Sequence, residues 1–278
     1  MKISNMEKIF TLLFLSFILF SCSRDDDRVQ TENDDALITK MSLILYPNSL
    51  PYNNSELSFY FQYDNNKRLI RKTGGFLSVS GSSGYNGFFT DKIYTTLTYI
   101  NNKVTVENFS SSPDFTVLKD SKYYTVNNNQ ITQKEVPNTS YGNYRDEKQT
   151  FKYSNDKLVE ISTSLPNMPY YPPDDYIETY LEKFYYDSNG NLTKSEYFEQ
   201  HDGINRGIKI VRTFGEYDTS TNPFKRLYLL DEYFYRSISK NNYRKYSEVK
   251  YDIAGNVTST TQKNWTFNYD SNGNIIIN

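Results

Sequence analysis

Cysteine, histidine and tryptophan each occur only once in this chain of 278 residues. A single cysteine excludes a disulfide bond within one chain, and a single histidine, His201, excludes a metal cluster built on several imidazoles. The charges nearly cancel, with 31 basic and 33 acidic side chains, so no surface for nucleic acid is indicated. A mean hydropathy of −0.71 excludes an integral helical membrane protein.

A long apolar run lies near the N-terminus, from Ile9 to Phe20, and follows Lys2 and Lys8. As a helix, such a run spans about 18 Å, less than the ~30 Å of a bilayer core, so residues 1–21 are predicted to be a secretory signal peptide. The run ends in Leu19-Phe20-Ser21-Cys22, which resembles the lipobox of bacterial lipoproteins. The resemblance implies lipidation at Cys22 and a stable membrane anchor. The alternative is an ordinary signal peptide with an incidental cysteine.

Residues 22–36 are predicted to be the lipidated cysteine and a disordered acidic tether. Val29 is the only apolar residue between Ser23 and Asp35, so the segment cannot bury a core. The acidic cluster just after the cysteine resembles the export signal of surface-exposed Bacteroidota lipoproteins, and its members are Asp25, Asp26 and Asp27. The resemblance implies display on the cell surface. The periplasmic face of the outer membrane is the alternative.

A short phrase recurs from residue 57 onward: an aromatic strand, Tyr-Asp, a polar turn, and an aliphatic residue that opens the next strand. Three copies are clear, namely Tyr186–Leu192, Tyr251–Val257 and Tyr269–Ile275. Five looser copies begin at Tyr63, Tyr99, Thr125, Tyr153 and Tyr217. A repeated β-hairpin defines an architecture before it defines an activity.

Turn chemistry explains the polar part of the phrase. An aspartate at the turn entry can accept hydrogen bonds from backbone amides two residues on, which predicts structural roles for Asp187, Asp252 and Asp270. Glycine or asparagine supplies the positive φ that short hairpin loops need. The predicted positive-φ residues are Gly190, Gly255, Gly273, Asn66, Asn102 and Asn155.

The segments between the turns alternate in hydrophobicity. Leu57, Phe59, Phe61 and Tyr63 share one face of a strand by period two, and later segments repeat this pattern. After residue 40, no segment of helical length has the apolar spacing of an amphipathic helix. The predicted fold class is all-β, an antiparallel meander of consecutive β-hairpins in a twisted or curled sheet that stays open or closes partway. Residues 37–278 are predicted to form this single domain.

The phrase resembles the YD-repeat (Rhs-type) family, whose core motif runs roughly Tyr-Asp-x-x-Gly-Asn/Arg-Leu. The resemblance covers most of residues 57–278. The unequal spacing and the missing glycines argue against a regular Rhs shell that encloses a cargo. The closer likeness is to short YD-repeat-like lipoproteins of Bacteroidota-type bacteria, which the turn from Tyr217 to Phe224 also resembles. The resemblance implies a fold and an envelope location, not a reaction.

Two segments interrupt the hairpins. Residues 74–87 are rich in glycine and serine and are predicted to be a mobile loop. Residues 165–175 contain four prolines and are predicted to be an excursion between hairpins. Aromatic side chains on such loops can stack on sugars or peptides, and the candidate ligand-binding residues are Tyr170, Tyr171, Tyr176 and Tyr85. The alternative is that these rings cover one end of the sheet.

No catalytic, cofactor-binding or metal-ligating residue is assigned. The turn Asp187-Ser188-Asn189-Gly190-Asn191 resembles the start of a calcium loop, but Phe198 stands where the bidentate glutamate would be. Carboxylate pairs such as Glu178 with Glu182, or Asp231 with Glu232, could serve glycoside hydrolysis, yet neighbouring strand residues face opposite sides. His201 is expected in a solvent-exposed turn.

The sequence therefore predicts a non-enzymatic lipoprotein, anchored through Cys22 to the outer membrane and facing the cell surface. Its predicted role is binding or structural, with a glycan or an envelope protein as partner and without cofactor or nucleic acid. The alternative is a polysaccharide-processing enzyme or an accessory subunit of a surface uptake system.

Overall fold

The structure is a computed structural model, which describes residues 37–42, 57–77, 88–117, 120–138, 145–172, 175–273 and 275–277. The predicted signal peptide, Cys22, Asp25–Asp27 and Tyr85 lie outside the described residues. Ala36–Asn278 form one compact unit. Within the described ranges, no helix is both long and apolar enough to cross a membrane.

Fourteen strands form one antiparallel sheet in which every strand pairs with its neighbours in sequence. This arrangement confirms the predicted all-β meander of consecutive hairpins. The sheet is open, because β1 and β14 stand at its two edges. In order along the chain, β1 to β14 are Lys40–Ser42, Ser58–Tyr63, Leu69–Leu77, Phe88–Ile100, Lys103–Ser110, Lys122–Asn127, Gln130–Val136, Glu147–Ser154, Lys157–Ser164, Glu178–Tyr186, Leu192–His201, Ile204–Tyr217, Tyr243–Tyr251 and Val257–Asn264.

A separate two-stranded hairpin ends the chain, with β15 at Asn268–Tyr269 and β16 at Ile275–Ile276. The segment after β16 returns to the start of the sheet, where the amide of Ser42 donates a hydrogen bond to the carbonyl oxygen of Ile277 at 3.1 Å. The last described residues therefore lie beside the start of the sheet, although the main sheet does not close.

The hairpin turns are held by an aspartate and by the residue four positions later. The Asp187 amide donates to the carbonyl of Asn191 at 2.9 Å, and the Asn191 amide donates to Oδ1 of Asp187 at 2.8 Å. The same pair of bonds links Asp252 to Asn256. The glycines of these turns have positive φ, at 88° for Gly190, 84° for Gly255 and 78° for Gly273, and Asp270 accepts the Asn272 amide.

The turns without glycine place positive φ differently from the prediction. Asn155 has a φ of 48°, as predicted, but the positive values elsewhere fall on Lys67 at 58° and Asn101 at 53°. The predictions for Asn66 and Asn102 were wrong by one residue. In the first of these turns Asp64 accepts both the Asn66 amide and the Arg68 amide, which leaves the left-handed position to Lys67.

The tyrosine of the phrase joins neighbouring hairpins. The Tyr99 hydroxyl donates to the carbonyl of Leu69 at 2.8 Å, and the Tyr153 hydroxyl donates to the carbonyl of Ile131 at 3.0 Å. In each case the acceptor is the aliphatic residue of the preceding copy. Two further tyrosines continue this tyrosine ladder, with Tyr63 bonded to Ile38 and Tyr217 bonded to Leu192. In the copy predicted to begin at Thr125, Val126 takes the place of the tyrosine, because it is the cross-strand partner of Ile131.

We expect the Tyr99→Phe change to lower the free energy of unfolding by about 1 kcal/mol, because it removes one partly buried hydroxyl–carbonyl bond. Tyr186→Phe is the matched control. The Tyr186 hydroxyl is buried and has no hydrogen-bond partner among the described residues, so its removal should leave stability unchanged or raise it. Chemical denaturation of both variants measures the difference, and equal losses would contradict a bonding role for the ladder.

The sequence predicted a hairpin turn after Tyr217, but the structure has no short turn there. The Asp218 amide donates to the carbonyl of Asn242 at 3.1 Å, and the Asn242 amide donates to Oδ1 of Asp218 at 3.0 Å. These are the two bonds that close the Asp187 and Asp252 turns. Residues 219–241, which we call the insert, therefore occupy the place of three turn residues. The insert contains two 3-10 helices, Pro223–Leu227 and Asp231–Tyr233, and a short α-helix, α1, at Phe234–Ser237.

The insert supplies the centre of the hydrophobic core. Its fully or almost fully buried apolar side chains are Phe224, Leu227, Leu229, Leu230 and Tyr233. The Tyr233 ring lies 6.1 Å from Phe61 of β2, and the Phe234 ring lies 6.1 Å from Phe151 of β8. Tyr235 lies 5.6 Å from Phe214 of β12. Because one short segment touches strands from β2 to β12, the sheet curls around it and has an inner face.

A buried arginine fixes the end of the insert. Arg236 is 2% exposed, and its guanidinium carbon lies 4.1 Å from the ring centre of Tyr243 and 4.3 Å from that of Trp265. Its Nη1 donates to the carbonyl of Tyr243 at 3.1 Å. Burial lowers the pKa of Arg236 from its ordinary value. The surrounding aromatic faces offset part of the cost of burying its charge.

The predicted mobile loop at residues 74–87 begins too early. β3 continues to Leu77 and β4 starts at Phe88, so Gly74 and Gly75 belong to a strand. Gly74 has a φ of 105°, and a Cβ there would lie 2.7 Å from Cζ of Phe89. A Cβ on Gly75 would lie 2.8 Å from Cγ2 of Ile93. These glycines therefore permit close approach between strands.

Candidate functional site

Charged side chains of the insert meet lysines of the inner face. Asp231 accepts hydrogen bonds from Nζ of Lys122 and from Nζ of Lys134, both at 2.7 Å. The hydroxyl of Tyr124 donates to the same carboxylate at 3.2 Å. The insert supplies the carboxylate, and β6 and β7 supply its three partners. We call Asp231, Lys122, Lys134 and Tyr124 the Asp231 cluster.

Asp231 is surrounded by protein but is not sealed off. Its side chain is 46% exposed, and it lines two cavities between the insert and the sheet. Burial alone would raise the pKa of Asp231, but the ammonium groups of Lys134 and Lys122 outweigh burial and hold this pKa well below its ordinary value. The carboxylate is therefore ionised at neutral pH.

Glu232 forms a second ion pair, with Lys72 of β3. The sequence interpretation placed Asp231 and Glu232 in a strand, where neighbours face opposite sides. They lie instead in a 3-10 helix, and both carboxylates reach lysines of the same inner face. The argument that Asp231 and Glu232 must face opposite sides was therefore wrong. Each carboxylate nevertheless has a lysine as its partner.

A third ion-pair group lies further along the inner face. Nη1 of Arg212 donates to Glu182 at 3.1 Å, and Nε of Arg212 donates to Glu248 at 2.9 Å. The hydroxyl of Tyr235 in the insert also donates to Glu182, at 2.9 Å. The hydrolase candidates Glu178 and Glu182 are not brought together, since four residues of a strand span about 13 Å. Glu178 pairs instead with Arg145.

Two cavities separate the insert from the sheet, and both reach Asp231. The larger, of about 270 Å³, lies against β2 to β6, and we call it the Lys72 cavity. The smaller, of about 170 Å³, extends toward Glu182 and Tyr197. The walls of the Lys72 cavity combine ion-paired side chains, the polar residues Thr95 and Asn108, and apolar side chains. Such a mixed concave surface suits a small ligand.

The candidate aromatics of the proline-containing excursion lie on the outside of the protein. Tyr171 is 74% exposed, and Tyr170 is 48% exposed beside it. The carboxylate of Asp175 accepts the backbone amides of Tyr171 at 3.1 Å and of Tyr176 at 2.9 Å. The excursion is therefore tied locally, and it presents the first two rings to solvent. Tyr85, the fourth candidate, lies outside the described residues.

Tyr176 has a different partner from its neighbours. Its ring stacks on His201, with ring centres 3.5 Å apart and planes at 13°. Nε2 of His201 lies 2.7 Å from Oε1 of Glu199. The prediction of a solvent-exposed turn for this histidine was wrong, because His201 ends β11 and its side chain is only 15% exposed. Among the described residues, no three His, Cys, Asp or Glu side chains form a metal-binding group.

Sequence reasoning missed two inner-face lysines, Lys72 and Lys134, because of β-bulges. The pairing register shifts between Gln62 and Tyr63 and again between Thr125 and Val126. After each shift, the residue three positions beyond the buried aliphatic faces inward, so Leu69 and Lys72 share a face, as do Ile131 and Lys134. Strict alternation would place both lysines outside. The useful signal is the recurrence of lysine three residues after the aliphatic position.

No protein-family model and no curated protein matches this chain. Two solved structures have a similar course of strands. A porin-like protein from Bacteroides vulgatus aligns with a TM-score of 0.48 at 12% identity, over 86% of this chain and 90% of its own. A porin-like protein from Bacteroides uniformis aligns with a TM-score of 0.44 at 14% identity, over 78% and 80%. At these scores the likeness carries no argument about function.

Proposed function

We propose that this chain is a lipoprotein of the outer membrane, anchored at Cys22 and displayed on the cell surface, whose β domain binds without catalysing a reaction. The apolar run that ends in Leu19-Phe20-Ser21-Cys22 supports the anchor, and Asp25–Asp27 support display. The Tyr-Asp phrase accounts for turns and strand contacts, and it supports membership among YD-repeat-like lipoproteins without implying chemistry.

The observation that carries the binding role is the outward pair Tyr170 and Tyr171. An aromatic ring that is 74% exposed gains little from the fold, so its position on a tied excursion favours an external contact. Tyrosine stacks on the apolar faces of sugars and donates a hydrogen bond through its hydroxyl. We therefore propose a glycan as the first ligand class, with a partner protein of the envelope as the second.

A polysaccharide-processing enzyme is less well supported. Glycoside hydrolysis needs one carboxylic acid that stays protonated near neutral pH, so its pKa must be raised. The carboxylate that most clearly faces a cavity is Asp231, and Lys134 and Lys122 lower its pKa. Asp231 therefore suits an ion pair and not a general acid.

A glycan array probed with the full-length protein in detergent micelles tests the proposal. We expect binding to at least one glycan class and a Tyr171→Ala variant at least tenfold weaker, because the most exposed ring of the platform is lost. Tyr60→Ala is the control, since Tyr60 is an exposed tyrosine on β2, at 48%. No binding to any glycan, or equal losses in the two variants, would contradict a glycan site at the excursion.

A further inference from the structure

We infer that the Lys72 cavity binds a free, neutral, polyhydroxylated molecule of the size of one monosaccharide. This site is separate from the tyrosines of the excursion. It lies on the inner face of the curled sheet, between strands β2 to β6 and residues 229–232 of the insert.

The size of the cavity limits the ligand. At about 270 Å³ it stands just below the range of roughly 300–1,000 Å³ that drug-sized ligands occupy. One sugar ring fills such a space, whereas an oligosaccharide or a folded peptide segment would extend beyond it. Gly75 helps to set this size, because a Cβ there would lie 2.8 Å from Cγ2 of Ile93 and displace that wall.

The charges of the wall favour a neutral ligand. Lys72 is paired with Glu232, and Lys122 is paired with Asp231. Asp120 also lines the cavity, and Lys134 is a second partner of Asp231, so three basic groups face three acidic ones. A ligand with a net charge would enter a site whose fixed charges already compensate one another, and it would lose its hydration without gaining a counter-ion. A neutral ligand escapes this cost.

The same ion pairs can bind hydroxyl groups. An ammonium group has three N–H donors and a carboxylate has about four lone-pair positions, so each paired group keeps bonding capacity. A hydroxyl both donates and accepts, and it can therefore bridge Lys122 and Asp231, whose Nζ and Oδ2 atoms are 2.7 Å apart. Thr95 and Asn108, joined by a 2.8 Å hydrogen bond, add polar atoms on the sheet side.

Apolar side chains complete the wall. Phe59, Phe76 and Ile93 line one side of the cavity, and Leu229 and Leu230 of the insert line another. A pyranose ring carries hydroxyls around its rim and C–H groups on its faces, so it matches a wall that is charged at one end and apolar beside it. Flat aromatic rings are suited to contact with those C–H groups.

Saturation-transfer NMR on the full-length protein in micelles tests the inference with three kinds of probe. The neutral probes are glucose, galactose, mannose and N-acetylglucosamine; glucuronic acid is the anionic probe and glucosamine the cationic one. We expect saturable binding of at least one neutral sugar, at least tenfold tighter than that of either charged analogue. Binding of no neutral sugar, or equal or tighter binding of a charged analogue, overturns the inference.

Two variants assign the signal to the cavity. Val106→Phe fills the space from β5 and keeps every charged member of the ion pairs, and Asn108→Leu removes a polar wall group at similar size. Each should weaken binding at least tenfold, and if Val106→Phe does not fold, Asn108→Leu decides. Tyr171→Ala should bind as the wild type does. Unchanged binding in a folded cavity variant, or loss of binding in Tyr171→Ala, overturns the inference. Failure of the glycan array alone leaves it standing.

Discussion

Replacing residues 219–241 with Ser-Asn-Gly is expected to abolish cooperative unfolding. Ser-Asn-Gly is the sequence between Asp187 and Asn191 in the native chain. The exchange therefore joins Asp218 to Asn242 by the same short turn. The strands and turns would remain, but the inner face would lose its core. Five almost fully buried apolar side chains are removed, and each costs about 2–5 kcal/mol when truncated. Their sum, about 10–25 kcal/mol, is comparable to or larger than the ~5–15 kcal/mol that stabilises a typical domain.

In the matched control, Ser-Asn-Gly replaces residues 166–172 of the excursion between β9 and β10. Residues 166–172 of that excursion carry no buried side chain, so the control should keep a sharp thermal transition. Thermal unfolding followed by near-ultraviolet circular dichroism reports aromatic packing in both proteins. A sharp transition in the insert exchange would show that the sheet holds itself together without the insert.

Asp231→Leu is expected to lower the free energy of unfolding by about 2–3 kcal/mol. Removing one member of a buried ion pair commonly costs about 3–5 kcal/mol, and we expect less because the carboxylate faces cavities that water can enter. The cost arises mainly at Lys134, which would remain buried without its counter-ion. Asp91→Leu is the control, because the Asp91 side chain is exposed on β4. Denaturant titration compares the two, and equal effects would contradict an anchoring role.

The same carboxylate gives stability a pH dependence. The pKa of Asp231 is lower in the folded chain than the ordinary value of about 3.9, so the unfolded chain binds more protons in acid. The contribution is therefore present above about pH 4 and is lost as the pH falls below that value. Between about pH 4 and pH 2, wild-type stability should fall more steeply than that of Asp231→Leu. Parallel slopes would show that other carboxylates account for the acid loss.

The repeated part of the fold is predictable from sequence, because its determinants are local. Alternating aromatic residues mark the strands, and Asp187 with Gly190 marks a turn whose hydrogen bonds involve only neighbouring residues. The open meander follows from hairpins of this kind placed in succession. Positive φ was harder to place at Lys67, where the decisive factor is which amides Asp64 engages, and at Asn101, whose shorter turn has no aspartate.

The insert could not be predicted from periodicity. Its longest helical elements have four or five residues, too few to display a helical pattern. Its apolar residues contact strands far away in sequence, such as Phe61 and Phe151. The detectable signal is the loss of the turn glycine, because Thr221 stands three residues after Asp218 and Pro223 follows Asn222. The Asp231 cluster was missed for a related reason, because β-bulges turn Lys134 inward against the period of the strand.

Residue-resolved hydrogen exchange of the native protein most directly tests the claim that the sheet is built around the insert. The amides of Leu230 and Tyr233 are bonded within the insert, to Leu227 and Leu230 respectively. We predict that both exchange only through global unfolding, at the same free energy as the slowest strand amides, such as Phe61 of β2. Exchange of these insert amides through a low-energy local opening, with the strands still protected, would contradict the claim.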